Sequence, residues 1–149
     1  QVLPELPPEI LVTRDLRPER GPLEGLAAGL QAVPEEVDAL YVTSCDVPLL
    51  VPAFARLLFA RLGRFEIVVP RDDERCHPLA AVYRRSVLGA VRELLAADQL
   101  RLRGLFDRVP TLAVPVDELR RVDPQLATLR NLNTPADYEA ALRSAGLQA

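Results

Sequence analysis

The chain has 149 residues, of which 49% are apolar and 26% are charged, and its net charge is −3 at pH 7. These values are typical of a single soluble globular domain, and they exclude the general basic surface of many nucleic-acid-binding proteins. No apolar run approaches the ~20 residues that a membrane-spanning helix needs, so we expect neither nucleic acid nor a membrane as a partner.

Apolar runs of strand length alternate along the chain with segments of helical periodicity. The predicted strands lie in "EILVTRD" (9–15), "DALYVTSCD" (38–46), "RFEIVVP" (64–70), "PLAAVYRRS" (78–86) and "TLAVPVDEL" (111–119). The predicted helices lie in "GPLEGLAAGLQAVP" (21–34), "VPAFARLLFARLG" (51–63), "SVLGAVRELLAAD" (86–98), "RLRGLFDRV" (101–109) and "TPADYEAALRSAG" (134–146). This alternation predicts an α/β layer fold with a mostly parallel sheet.

Several residues mark the ends of these elements. Ser86 is the predicted N-cap of the helix in 86–98. In the last helix, Thr134 is the predicted N-cap, Asp137 takes the third position of a capping box, and Gly146 follows the C-terminus. Pro115 cannot donate a backbone hydrogen bond, so it predicts an edge position or an irregular end for its strand.

Polar side chains follow the first predicted strands and precede the last helix. They are Arg14, Asp15, Asp46, Arg71, Asp72, Asp73, Glu74, Arg75, His77, Asn131 and Asn133. Asp and Asn are also common turn formers, so each residue alone is weak evidence. Ligands of open α/β sheets bind outside the carboxyl ends of the strands, and the convergence of these side chains on one edge therefore predicts a binding site there.

Asp46 follows an apolar run and precedes Pro48 by two positions. A carboxylate at a strand end suits Mg²⁺, which takes one or two carboxylates and completes its shell with waters and substrate phosphates. The alternative is that Asp46 caps a turn before Pro48. Local features leave both interpretations open.

The segment "RDLRPERGPLEG" (14–25) places Gly21 and Pro22 at a predicted helix start. Free backbone N–H groups and the helix dipole favour an anion or a base carbonyl at such a position, and Gly25 would let a ligand approach the backbone closely. The alternative is a plain loop that leads into a helix begun by proline.

The titratable residues that remain predict little. His77, the single histidine, makes either a ligand contact or a loop hydrogen bond. Cys45 and Cys76 lack the spacing of a zinc site, and we expect both to be reduced thiols in a cytoplasmic protein. All 18 basic residues are arginines, so any chemistry must use guanidinium groups and not a lysine ammonium.

Four stretches, in this order and at this spacing, resemble the molybdenum cofactor guanylyltransferase (MobA-like) family. They are "RDLRPERGPLEGLAAGL", "YVTSCDVPLL", "CHPLAAVYRRSV" and "LRNLNTPADYEAAL", and they span Asp15 to Leu142. The resemblance implies a three-layer, Rossmann-like nucleotidyltransferase fold of the nucleotide-sugar-transferase type. It also implies Mg²⁺-dependent transfer of GMP from GTP to molybdopterin-bound molybdenum cofactor with release of pyrophosphate, and molybdoenzyme-maturation proteins as further partners.

The resemblance also assigns roles to single residues. Asp15 matches the acid that contacts GTP, and Asp46 matches the catalytic acid that contacts Mg²⁺ and the nucleotide phosphates. The nucleotide-lining segment is matched by Gly21, Pro22, Leu23 and Gly25. Stretches on the pterin side are matched by His77, Pro78, Asn131 and Asn133.

The sequence departs from the family at its start. The family's glycine-rich L-x-G-G-x-S-x-R-M-G signature and the lysine that follows it are absent, and the chain contains neither lysine nor methionine. We therefore expect residues 1–149 to be the C-terminal portion of a single domain, inactive alone, with GTP binding weak or absent. Two alternatives remain: transfer from CTP or to another small acceptor on the same fold, and a non-catalytic nucleotide-binding or partner-docking domain.

Overall fold

The computed structural model describes residues 6–73 and 75–147. Glu74, one of the polar residues predicted at the strand ends, lies outside the described residues. Within them, no helix is both long and apolar enough to cross a membrane.

The described elements alternate between helix and strand as the sequence predicts. The strands are β1 (Ala39–Thr43), β2 (Ile67–Arg71), β3 (Ala80–Arg84) and β4 (Thr111–Pro115). The helices are α1 (Pro22–Ala32), α2 (Pro52–Ala60), α3 (Leu88–Ala96), α4 (Val116–Leu119) and α5 (Pro135–Ser144). Single 3₁₀ turns occupy Arg85–Val87, Leu102–Leu105 and Ala127–Leu129.

The sheet of the described residues has the strand order β1-β3-β2-β4. The prediction of an α/β fold is confirmed, but a mostly parallel pairing is wrong for two of the three strand pairs. Only β2 and β4 pair in parallel, because β3 runs opposite to both of its neighbours. Residues 72–79, which join β2 to β3, are too few for the crossover helix that a parallel connection needs.

Helices cover both faces of the sheet, so the layers follow the three-layer order of the predicted fold. Side chains alternate along each strand, and Ile67 and Val69 of β2 pack on one face with α1 and α3. Val68 packs on the other face with α2 and the region around α4. Ile67, Val68 and Val69 are completely buried, which explains why this part of the strand is a continuous apolar run in the sequence.

The run 9–15 is not a strand, and its prediction is wrong. Ile10, Leu11 and Val12 have no regular secondary structure, and 50–66% of their surfaces are exposed. Apolar, β-branched residues favour an extended chain, but a strand also needs a neighbour to hydrogen-bond. No described strand pairs with this run.

The predicted cap of α5 is confirmed, and the predicted N-cap of α3 is wrong. Thr134 and Asp137 form the predicted capping box of α5, and Gly146 follows it in the left-handed region, with φ 70°. Ser86 is not the N-cap of α3, because it lies inside a 3₁₀ turn and its hydroxyl donates to Glu66 instead.

Candidate functional site

Asp46 lies in the loop that follows β1, and it contacts the stretch before α5. Its Oδ2 accepts a hydrogen bond from Asn131 Nδ2 at 2.7 Å, and its carbonyl oxygen accepts one from Leu132 N at 2.8 Å. Two of the polar residues predicted at one edge of the sheet are therefore in direct contact.

The surroundings of Asp46 keep its carboxyl group ionised. Its pKa lies below the ordinary value, chiefly because the Ser44 side chain stabilises the carboxylate, and secondly because the Asn131 amide donates to it. Partial desolvation opposes both effects. The Asp46 Oδ1 atom is nevertheless buried without a hydrogen bond of ordinary geometry to any described residue.

Residues on both sides of Asp46 line a cavity of about 340 Å³. We call it the His77 cavity. Ser44 and Val47 form one part of its wall, and Asn131 and Arg75 also line it. His77 and Pro78 also belong to its wall. Five of the predicted positions, Asp46 among them, thus lie in or directly beside one cavity.

His77 makes a loop hydrogen bond and also lines this cavity. Its Nε2 lies 2.9 Å from Asp72 Oδ2, and Asp72 Oδ1 accepts from Arg75 N at 3.1 Å. The pKa of Asp72 is lowered, chiefly by the His77 hydrogen bond; desolvation opposes this effect, and the weaker Arg75 contacts add to it. These contacts fix the loop that joins β2 to β3 at the cavity.

The start of α1 borders a second cavity of about 460 Å³, here called the α1 cavity. Pro22 and Gly25 line it together with Thr43 at the end of β1. Gly21 is the N-cap, and no side chain caps this helix in the described part of the chain. Leu23 is completely buried in the core, so only its backbone could line a nucleotide pocket, in contrast to the predicted lining role.

Asp15 is exposed and lies against α1. A methyl group built on Gly25 would lie 3.7 Å from Asp15 Oδ1, so the missing side chain leaves the carboxylate close to the helix. The α1 cavity and the His77 cavity share Leu79 in their walls. Asp15 lies beside Gly25 of the α1 cavity, and Asp46 bonds Asn131 of the His77 cavity, although neither aspartate lines either cavity itself.

Glu24 holds the loop that carries Asp15. This carboxylate is 2% exposed; it accepts from Arg17 N at 3.3 Å and lies 3.6 Å from Arg20 Nε. Arg20 also donates to the Leu95 carbonyl at 2.8 Å. The loop before α1 is thus tied both to α1 and to the end of α3.

Asn133 and Arg71 are not brought into either cavity. Asn133 donates from its backbone N to Asp137 Oδ2 at 3.1 Å, so its backbone supports the cap of α5 while its side chain is exposed. Arg71 ends β2 and forms an isolated bridge with Cys76. Both thiols are free, Cys45 exposed and Cys76 partly buried.

The donor set around Asp46 fits a loosely held Mg²⁺ ion. No group of three or more His, Cys, Asp or Glu side chains within residues 6–73 and 75–147 could enclose a metal. One carboxylate with a buried, unpartnered oxygen does suit an ion whose shell is completed by waters and substrate phosphates. Asp46 is held by Ser44 of its own turn and by the distant Asn131, so its contacts are compatible with both interpretations of this residue.

Sequence reasoning missed Ser44, Glu24, Asp123 and Thr128. Glu24 could have been noticed as the carboxylate four positions after Arg20, the spacing of a helical ion pair. Asp123 accepts backbone N–H groups four and five positions later, a local pattern that Asp adopts in many turns. Thr128 and Ser44 carry no signal in the sequence that separates them from the other hydroxyl residues of the chain.

A family model described as a MobA-like NTP transferase domain matches residues 2–121. The stretch with Asn131, Asn133 and α5 lies beyond that match. From Desulfosudis oleivorans, a protein named molybdenum cofactor guanylyltransferase is 29% identical over 132 residues, which cover 88% of this chain and 64% of that protein. From Methanosarcina acetivorans, a protein named probable molybdenum cofactor guanylyltransferase is 33% identical over 139 residues, which cover 91% and 61% of the two chains.

Among solved structures, molybdopterin-guanine dinucleotide biosynthesis protein A from Archaeoglobus fulgidus is similar, with a TM-score of 0.72 and 23% identity. The match covers 85% of this chain and 63% of that one. At this identity the likeness shows a common fold. The chain spans 61–66% of the length of the first three curated relatives that it matches.

Proposed function

Because this chain belongs to the MobA-like NTP transferase family, we propose that its protein is a nucleotidyltransferase that moves GMP from GTP to molybdopterin-bound molybdenum cofactor. The names of the curated relatives support this choice of nucleotide and acceptor. The two free thiols suit a reducing compartment, and we propose the cytoplasm as its location.

The contact between Asp46 and Asn131 is the observation that carries the proposal. It joins the end of β1 to the stretch before α5 and leaves a second carboxylate oxygen of Asp46 without a protein partner among the described residues. Asn131 lines the His77 cavity, which shares Leu79 with the α1 cavity. A metal-bound triphosphate at Asp46 would therefore reach both the nucleotide side and the acceptor side.

The roles of the other residues follow from their positions. In the first turn of α1, Pro22 has no N–H and Glu24 N donates to the Gly21 carbonyl, so the Leu23 N–H would be the backbone donor to a phosphate or to the base. Asp15 beside Gly25 would offer a carboxylate to the nucleoside. Asp46 would hold Mg²⁺, which would neutralise phosphate charge. In the His77 cavity, Arg75 supplies a guanidinium group for anionic oxygens, and His77, Pro78 and Asn131 would contact the pterin.

The reaction needs positioning more than proton chemistry. An oxygen of the acceptor's terminal phosphate forms a bond to the α-phosphorus of GTP, while the bond from that phosphorus to the bridging oxygen breaks and pyrophosphate leaves. Holding the two reactants in line can lower the barrier by several kcal/mol, on the order of 7–11. The rigid contacts of Asp46 and His77 serve this purpose.

Transfer assays with the full-length enzyme test the proposal. Molybdopterin-bound cofactor is supplied with GTP or with CTP, and both pyrophosphate and the dinucleotide product are measured. The proposal predicts a product that contains guanine and forms in equal amount with pyrophosphate. A preference for CTP would correct the nucleotide, and binding of GTP without turnover would contradict the assignment as an enzyme.

A further inference from the structure

Among the described residues, the hydrogen bonds that join the Asp46 loop to distant parts of the chain all come from one segment. This loop, residues 44–51, has no helix or strand, so its shape depends on its contacts. Three hydrogen bonds join it to residues 128–132. They are Val51 N to Thr128 Oγ1 at 3.0 Å, Asn131 Nδ2 to Asp46 Oδ2 at 2.7 Å and Leu132 N to Asp46 O at 2.8 Å.

Asp123 in turn fixes the backbone that presents Thr128. Its Oδ1 accepts from Ala127 N and its Oδ2 from Thr128 N, both at 2.9 Å. Hydrogen bonds from backbone N–H groups to a carboxylate are stronger than neutral ones. Asp123 is 3% exposed and Thr128 is completely buried, so water competes little for these contacts.

The turn between these residues contains a backbone conformation that needs support. Leu126 has φ 50° and ψ 42°, a left-handed conformation that a branched residue adopts at a cost of roughly 1–3 kcal/mol. It is held by the hydrogen bond from Leu126 N to the Asp123 carbonyl at 2.9 Å. The hydrogen bonds to Asp123 therefore fix the backbone conformation of this turn.

We propose that Asp123 and Thr128 are positioning residues for Asp46, and this inference rests on the proposed function. Asp123 fixes the turn, and Thr128 holds the far end of the Asp46 loop through Val51. Asn131 and Leu132, at the end of the same segment, hold the middle of the Asp46 loop. Loss of the Thr128 hydroxyl would free one end of the loop and let the Asp46 carboxylate move relative to a bound ion.

The test replaces only the hydroxyl group. Thr128→Val keeps the shape of the side chain and removes the acceptor for Val51 N, and Thr128→Ser restores it. Thr111→Val is the matched control, because the Thr111 hydroxyl bonds the Val109 carbonyl at 3.0 Å at the start of β4. All variants are made in the full-length enzyme.

Three measurements are compared across the variants: amide hydrogen exchange at Val51 and Leu132, Mn²⁺ binding by electron paramagnetic resonance, and the Mg²⁺ concentration that gives half-maximal transfer. Thr128→Val is expected to lose protection at Val51 and to weaken metal binding and activation by about 10- to 100-fold, the usual effect of losing an indirect partner of a metal ligand. Thr128→Ser is expected to recover most of the Val51 protection and of the metal binding and activation. Thr111→Val is expected to leave all three at the wild-type value.

Normal metal binding by Thr128→Val would overturn the inference, whether or not the Val51 amide loses protection. If Thr128→Val does not fold, Asp123→Asn takes its place, because an amide leaves only one oxygen to accept from the Ala127 and Thr128 N–H groups. Weakened Mn²⁺ binding in Asp123→Asn would then support the inference, and unchanged binding would overturn it. Absence of transfer in the wild-type enzyme would contradict the proposed function alone, because the exchange and Mn²⁺ measurements need no substrate.

Discussion

Asn131 donates a hydrogen bond from Nδ2 to Oδ2 of Asp46 at 2.7 Å, across 85 positions of the chain. The contact fixes the orientation of the carboxylate and helps to lower its pKa, after the larger effect of Ser44. It also leaves Oδ1 for another partner. The candidate site is therefore assembled from two distant segments, and each can be altered separately.

Asn131→Leu is expected to raise the pKa of Asp46. The folded-state pKa is below the ordinary value, partly because of the Asn131 donor, so its removal lets the carboxyl group accept a proton at a higher pH. The titration of the Asp46 side-chain carbon, followed by NMR, measures this shift. The acid side of the pH–rate profile should move upward in parallel.

Asn133→Leu is the control for that experiment. The Asn133 side chain makes no recorded hydrogen bond to Asp46, and its backbone contact with Asp137 survives the substitution. An equal pKa rise in both variants would contradict the specific role of Asn131.

Glu24→Ala is expected to lower the free energy of unfolding by about 2 kcal/mol, because it leaves the Arg17 amide without an acceptor and removes the carboxylate beside the partly buried Arg20 Nε. Glu139→Ala removes a pair of the same spacing, Glu139 with Arg143 at 3.7 Å, on an exposed surface. Exposed pairs on helices contribute about 0.3–0.5 kcal/mol. Urea unfolding of both variants measures the difference, and equal losses would show that burial of Glu24 has no energetic consequence.

Gly21→Ala is expected to destabilise the protein by about 1–3 kcal/mol, because φ 77° and ψ −169° at this N-cap lie in a region that only glycine adopts readily. No atom lies within 4 Å of the added methyl group, so the cost comes from the backbone. Gly29→Ala, inside α1 and equally free of contacts, should instead stabilise by about 0.5–1 kcal/mol. Thermal unfolding compares the two, and a stabilising Gly21→Ala would refute the strain argument.

The sequence predicted most elements because their signals are local. Helical spacing in α1, the apolar run of β2 and the capping box at Thr134 depend on neighbours within a few positions. The direction of β3 was mispredicted, because the short loop from β2 reverses the chain. The run at Ile10 was also mispredicted, since apolar character alone does not supply a pairing strand.

The same distinction between local and long-range signals applies to the candidate site. Asp46 could be found because it follows an apolar run of strand length, and Asn131 because it precedes a well-capped helix. Their hydrogen bond could not be derived from local pattern, since it depends on the folded path of 85 positions. Glu24, Asp123 and Thr128 act through buried hydrogen bonds, and burial of a polar side chain is a property of the packed structure.

Asp46→Asn in the full-length enzyme tests the central claim most directly, with Asp117→Asn as a control on the exposed surface of α4. Asn keeps the size of the side chain but removes the charge that would hold Mg²⁺. The account predicts that guanylyl transfer at saturating Mg²⁺ falls by more than about 100-fold in Asp46→Asn, with normal thermal unfolding, and that Asp117→Asn transfers at the wild-type rate. Full transfer by Asp46→Asn would contradict the account.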